Sequence, residues 1–135
     1  MNKKIKCILL IDDDASTNEY NTIVLEETGC VEHVISFTRA SEGLDFVNSN
    51  PPLTPLHPEI IFLDINMPLM DGWDFLEEYN KLTSEKRKNI IVVMLTTSAN
   101  ISDELKAKEK GAAFYFIKPL SEEILHEIIN IQFPE

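Results

Sequence analysis

The sequence predicts an α/β domain of five βα repeats: a doubly wound, five-stranded parallel sheet with helices on both faces. Three observations carry this. Short apolar runs alternate five times with stretches of helical periodicity. The runs are apolar throughout rather than alternating, as strands buried on both faces are. Four of them end on residues that can do chemistry, and in open parallel sheets ligands bind outside the carboxyl ends of the strands.

The first run, IKCILLI at 5–11, is short, β-branched and bounded by acids, which reads as a buried strand. Residues 15–28 then set Tyr20, Ile23, Val24 and Glu27 at helical spacing, with Gly29 as the stop. Asp14 as N-cap and Ser16-x-x-Glu19 as a capping box are equally good starts for this helix. HVISF at 33–37 is the second strand, and Ala40, Gly43, Leu44 and Val47 mark one face of the second helix. The stretch 48–58 holds four of the seven prolines and is a loop. EIIFLD at 59–64 is the third strand. Phe75, Leu76, Tyr79 and Leu82 form the stripe of a helix over 72–82, with Trp73 packing at its start. After the charged loop 83–89 comes IIVVML at 90–95, the most strand-like segment. The helix expected at 100–110 has only a thin apolar stripe: Ile101, Leu105 and Ala107. AFYFI at 113–117 is the fifth strand. Ser121-Glu122-Glu123 opens a last helix with Ile124, Leu125, Ile128 and Ile129 facing inward.

Composition narrows the function. A chain of 135 residues with 44% hydrophobic content supports one domain, taken as 1–135, with a real core. The formal net charge of −11 argues against nucleic acid as a partner, since phosphates demand a basic face. It suits a protein that holds a divalent cation with carboxylates, although a solvated acidic surface is the commoner origin of such a charge. Cys7 and Cys30 lack metal-ligand spacing and read as reduced thiols of a cytoplasmic protein. The start MNKKIKCILLIDDD is basic, but its apolar run is too short for a signal peptide, and no stretch is long enough to cross a membrane. His33, His57 and His126 are scattered and carry no metal or catalytic role in this reading.

In the predicted sheet the strand ends Asp12-Asp13-Asp14, Asp64, Thr96-Thr97 and Lys118 gather at one edge. Like charges at close range destabilise a fold unless something neutralises them. A hard cation with oxygen ligands does so; Mg²⁺ takes few protein oxygens and keeps several waters, leaving room for a phosphoryl oxygen. Lys118 adds a point charge opposite the acids, and Thr96 a hydroxyl that can donate to an anionic oxygen. Carboxylate, metal, lysine and hydroxyl together make a phosphoryl site, with an aspartate as acceptor.

The residues that build this site also carry a resemblance. LLIDDD, LDINMPLMDG, MLTTS and FIKP, in that order and each at a strand end, resemble the receiver domain of two-component response regulators, especially the stand-alone chemotaxis regulator. The resemblance covers about residues 5–131. It implies the flavodoxin-like strand order 2-1-3-4-5 and a function: accepting a phosphoryl group from a histidine kinase or phosphotransfer protein, with Mg²⁺, to switch a protein-binding face. Asp64 matches the phosphoacceptor. Asp12 and Asp13 match the acid pair, with Asp13 the direct Mg²⁺ ligand and Asp12 acting through water. Asn66 matches the position whose backbone carbonyl binds the metal. Thr96 matches the switch threonine; the neighbouring Thr97 leaves the register open from the residues alone, and the family pattern with its 22-residue step to Lys118 favours Thr96. Lys118 matches the family lysine, in a Lys-Pro peptide that is cis in the family. Tyr115 matches the aromatic switch position, which turns inward on phosphorylation. Asn66 and Ser98 match positions that tune phosphoryl lifetime through water access.

The loop 48–58 and the segment 83–89 are longer than the compact family pattern. The chain ends near Pro134 without room for a DNA-binding output domain, so output is expected through a downstream protein target, a relay, or a homodimer. The expected chemistry is confined to the chain's own phosphorylation and dephosphorylation; it is not an enzyme acting on a separate substrate. Three rivals stand beside this reading. One is an adaptor of the same fold that works without phosphorylation. Another is a Mg²⁺-dependent phosphohydrolase with an aspartyl nucleophile, in which Asn66 would stand where the general acid belongs. The third is a flavodoxin-like cofactor binder, for which three acids after the first strand would repel a phosphate.

Overall fold

The computed structural model describes residues 4–134; residues 1–3 and 135, the ends of the expected domain and part of its basic start, lie outside. Its elements run β1 (Ile5–Ile11), α1 (Ala15–Glu27), β2 (Val31–Phe37), α2 (Ala40–Ser49), β3 (Ile60–Leu63), α3 (Gly72–Asn80), β4 (Ile91–Thr96), α4 (Ile101–Glu109), β5 (Phe114–Ile117) and α5 (Glu122–Gln132). The five strands are parallel and lie in the order β2-β1-β3-β4-β5. The predicted fold and strand order are both present.

Side-chain alternation along the strands divides the core in two. Leu9, Ile11, Ile61, Leu63, Val92 and Met94 face one side and pack with Val47 of α2, Phe75 and Leu76 of α3, and Ala107 of α4. Ile8, Leu10, Ile60, Phe62, Val93 and Leu95 face the other, against Leu25 of α1 and Leu125 and Ile128 of α5. The three central strands are buried throughout, save Lys6 on β1 and the partly exposed Ile91 on β4. β2 and β5 are edges and only partly covered, so their expected burial on both faces does not hold. Both cysteines are free and buried, and burial pushes the Cys7 thiol up to about 12, which leaves it an unreactive core residue.

Two helical stripes differ from expectation. On α1 the inward residues are Asn18, Asn21 and Leu25, whereas Tyr20 and Ile23 are about half exposed (54% and 49%). Asp14 caps this helix, its carboxylate accepting from Ser16 N at 2.9 Å, which decides between the two starts. On α4 only Ala107 is buried; Ile101 and Leu105 face solvent at 72% and 62% exposure. Lys106 adds a surface tether, its ammonium 4.5 Å from the centre of the Trp73 ring.

The two long loops meet at the end of the sheet opposite the polar strand ends. His57 is buried between them, with Nδ1 2.8 Å from Asn50 O and Nε2 2.7 Å from Lys88 O. Lys86 Nζ donates to Asn48 Oδ1 across the same junction at 2.6 Å. The sequence reading found no metal or catalytic role for His57 and did not find this structural one, because a histidine among prolines has no periodicity to place it. His57→Ala leaves two loop carbonyls without this partner; the expected cost is about 2 kcal/mol, read as a lower urea midpoint with the sheet-edge chemistry unchanged.

Candidate functional site

The site is built by strand order. β1 and β3 are neighbours, so their last residues bring Asp12 and Asp64 side by side, with Asp64 N donating to Ile11 O at 3.0 Å. Asp12 and Asp64 are buried (5% and 8% exposed), while Asp13 is exposed. The three carboxylates each offer an oxygen within 4.8 Å of the others. Lys118 follows β5, and its ammonium donates to Asp12 Oδ2 at 2.6 Å and to Asp64 Oδ2 at 3.3 Å. The Lys118-Pro119 peptide is cis, as the resemblance implied.

Electrostatics follow from this packing. Burial, then the neighbouring Asp12 charge, raise the Asp64 pKa above 3.8; Lys118 and the Ile65 N–H oppose them without prevailing. Burial also works against the charge on Lys118, but the hydrogen bond and charge of Asp12, followed by those of Asp64, outweigh it and raise the lysine above 10.5. An all-carboxylate donor set with one exposed member suits a hard divalent cation that keeps several waters, so these residues fit Mg²⁺. Asn66 is exposed on the rim, lining a surface recess with Asp13, Pro68 and Asp71. Asp14 stands apart as the helix cap, its carboxyl held below the ordinary range by the Thr17 hydroxyl and the Ser16 N–H.

Thr96 and Tyr115 are arranged around the β4–α4 loop rather than on the carboxylates. Thr96 is fully buried, and its hydroxyl accepts from Ser98 N at 3.3 Å. The Tyr115 hydroxyl donates to Ser98 O at 2.7 Å, so the half-buried ring holds this loop. The Ser98 hydroxyl donates to Asp103 Oδ2 at 2.7 Å, which ties it to the start of α4. Ser98 therefore joins Thr96, Tyr115 and α4.

Two supporting residues escaped the sequence reading. Gly72 N donates to Ile65 O at 2.7 Å, and a Cβ at Gly72 would collide with Asp64 O and Ile65 Cα. Only glycine lets α3 start this close to Asp64. The Asp71-Gly72 pair was visible, but its contact is with backbone formed seven residues earlier. Asp71 completes a capping box with Asp74. Asn18 is the other: its Nδ2 donates to Asp12 O at 2.9 Å and to Phe37 O at 3.2 Å, joining the ends of β1 and β2.

Two outcomes follow from this geometry. Since Asp64 binds its proton more tightly folded than unfolded, its ionised form costs stability at neutral pH, and the cost fades as pH falls through its folded pKa toward 3.8. Asp64→Asn is thus expected to raise the thermal midpoint of the metal-free protein by a few degrees at neutral pH, with the gain shrinking on acidification. Gly72→Ala is expected to cost roughly 1–3 kcal/mol in urea denaturation.

Comparison with known proteins agrees with the geometry. A family model for the response regulator receiver domain matches residues 8–130. A two-component response regulator from Cytophaga hutchinsonii superposes with a TM-score of 0.88 at 30% identity, covering 98% of this chain and 100% of that one. A response regulator receiver protein from Dyadobacter fermentans gives 0.86 at 25% identity, covering 96% and 98%. The sensor histidine kinase CheAY of Helicobacter pylori is 29% identical over 123 residues, 91% of this chain but 14% of the kinase. The chain spans less than half the length of this and other curated relatives it matches. Among the described residues no helix is long and apolar enough to cross a membrane. From the sheet order, the acid cluster with its lysine, and a family match over nearly the whole chain, the conclusion is that this chain belongs to the response regulator receiver domain family, a family of signalling domains.

Proposed function

We propose that the chain is a cytoplasmic response regulator that accepts a phosphoryl group on Asp64 from the phosphohistidine of a histidine kinase or phosphotransfer protein. The observation that carries this is the Lys118 ammonium seated between Asp12 and Asp64 beside an exposed third acid. An Asp64 oxygen attacks phosphorus, an O–P bond forms, and the N–P bond breaks with its electrons returning to the imidazole. Asp12, Asp13, Asp64 and the Asn66 backbone carbonyl would hold Mg²⁺, which when bound neutralises charge on the acids and on the phosphoryl oxygens. Lys118 favours the ionised form of Asp64 and moves toward the new phosphoryl oxygens. Thr96 turns its hydroxyl proton toward them as well.

Output runs through the Ser98 junction. When the Thr96 hydroxyl is drawn to the phosphoryl group, its bond from Ser98 N is disturbed, and with it the anchor of Tyr115 and α4. Because α4 buries only Ala107, little packing opposes its movement. The phosphoryl group thus shifts a population through contacts it makes in one state only. The face formed by α4, β5 and α5 is what a downstream protein, or a second copy of the chain, would read. The acceptor is the chain's own carboxylate, and hydrolysis of its acyl phosphate resets the switch, so no separate substrate is turned over.

Incubation with acetyl phosphate is expected to add the mass of one phosphoryl group when Mg²⁺ is present, and none in Asp64→Asn. Turnover of a phosphate ester by the wild type would instead support the phosphohydrolase. Trp73, the only tryptophan and in contact with Lys106 of α4, should report the switch by a change in emission on phosphorylation. Thr96→Ala is expected to take the phosphoryl group yet lose most of that change; an unaltered response would remove Thr96 from the coupling route.

A further inference from the structure

The buried face of α1 is out of character for a core helix. Its three inward residues are Asn18, Asn21 and Leu25, and the two amides are only 3% and 4% exposed. A buried amide atom left without a partner costs about 1–3 kcal/mol. Asn18 meets half of this demand: its NH₂ group faces two carbonyls, Asp12 O and Phe37 O. Those two acceptors fix the amide orientation, because the reverse placement would set oxygen against oxygen. Its Oδ1 is then buried with no hydrogen-bond partner, alone in this among the side-chain atoms of the described residues.

That side chain lines a small, partly open cavity of about 10 Å³ beside Asp12 and Asp64. The polar residues of its wall are Asn18, Asn21, Asp12 and Asp64; the remainder is apolar strand. Its size is about that of a single water centre, and a water needs two to four polar partners. Asn21 lines this cavity and also an open surface recess with Ser16, Thr17 and Lys118, and no hydrogen bond to the described residues occupies its amide.

We propose that this cavity is a binding site for one ordered water, and that Asn18 and Asn21 are positioning residues acting through it on Asp12 and Asp64. The water donates one proton to Asn18 Oδ1 and the other to a carboxylate of the cluster, and Asn21 donates to the water oxygen. A donor arriving from behind supports charge on the buried carboxylates, while their front stays open for a divalent cation. Asn18 also fixes the height of Asp12 through its backbone carbonyl. The functional part of this proposal rests on the reading of the cluster as a Mg²⁺ and phosphoryl site; the water site does not.

The test combines a crystal structure of the full chain, at a resolution that shows ordered water, with Mg²⁺ titration by calorimetry. The wild type is expected to show one water within hydrogen-bond distance of Asn18 Oδ1 and an Asp12 or Asp64 oxygen. Asn21→Leu fills the space with methyl groups and removes no hydrogen bond between described residues. It is expected to keep or raise the thermal midpoint while weakening Mg²⁺ binding about tenfold, the size typical of residues that support metal ligands. Asn21→Ser leaves space and polarity and should bind Mg²⁺ within about twofold of wild type. A purely structural role would move stability and leave Mg²⁺ affinity alone. A dry cavity in the wild type, a cation in place of water, or a Leu variant that binds Mg²⁺ normally would overturn the proposal. Should the wild type bind no Mg²⁺, the phosphoryl reading fails while the crystal still decides the water site.

Discussion

The contact on which the rest of the site depends is the Lys118 ammonium held between Asp12 and Asp64. Without it, two buried carboxylates would face each other at the end of the central strands, each supported by a single backbone N–H, from Asp14 on Asp12 and from Ile65 on Asp64. The lysine does not cancel that repulsion fully. It sits closer to Asp12 than to Asp64, at 2.6 against 3.3 Å, and Asp64 keeps a raised pKa. The cluster is therefore underneutralised, and the deficit falls on Asp64. Such a site gains from an added cation and from a phosphoryl group that shares the lysine.

Topology makes this contact possible. The order β2-β1-β3-β4-β5 puts the two acid-bearing strands side by side and the lysine-bearing strand at an edge. Lys118 reaches back across the top of β4, whose last residue is Thr96, and Lys118 N donates to Thr96 O at 2.8 Å. Asp64, Thr96 and Lys118 thus lie at the ends of consecutive strands of one sheet, beside the lightly packed α4. This contrast follows from where apolar residues are abundant, in the strands, and where they are scarce, on α4.

Much of this was legible in the sequence. Strands buried on both faces are apolar throughout, so their ends, and the residues at them, could be placed without a structure. Asp12, Asp64 and Lys118 were legible because each directly follows an apolar run, even though β5 before Lys118 is only partly buried. What was hidden has physical causes. The inward face of α1 carries Asn18 and Asn21, which hydrophobic periodicity assigns to solvent, and Tyr20 and Ile23 drew the stripe to the wrong side. β2 starts two residues before the apolar run HVISF, since Ile5 N bonds to Cys30 O and an edge strand tolerates the polar Glu32 and His33. Gly72 and His57 act through backbone contacts with distant segments, which no local pattern encodes.

The most direct test of this account is thermal unfolding of Lys118→Ala with and without Mg²⁺, beside the wild type. If the lysine holds together an otherwise repelling pair, its loss costs about 3–5 kcal/mol in the metal-free protein, and saturating Mg²⁺ restores most of the lost stability. A variant as stable as wild type without Mg²⁺, or one that Mg²⁺ does not rescue, would contradict the claim that one lysine and one cation share the work of holding these acids together.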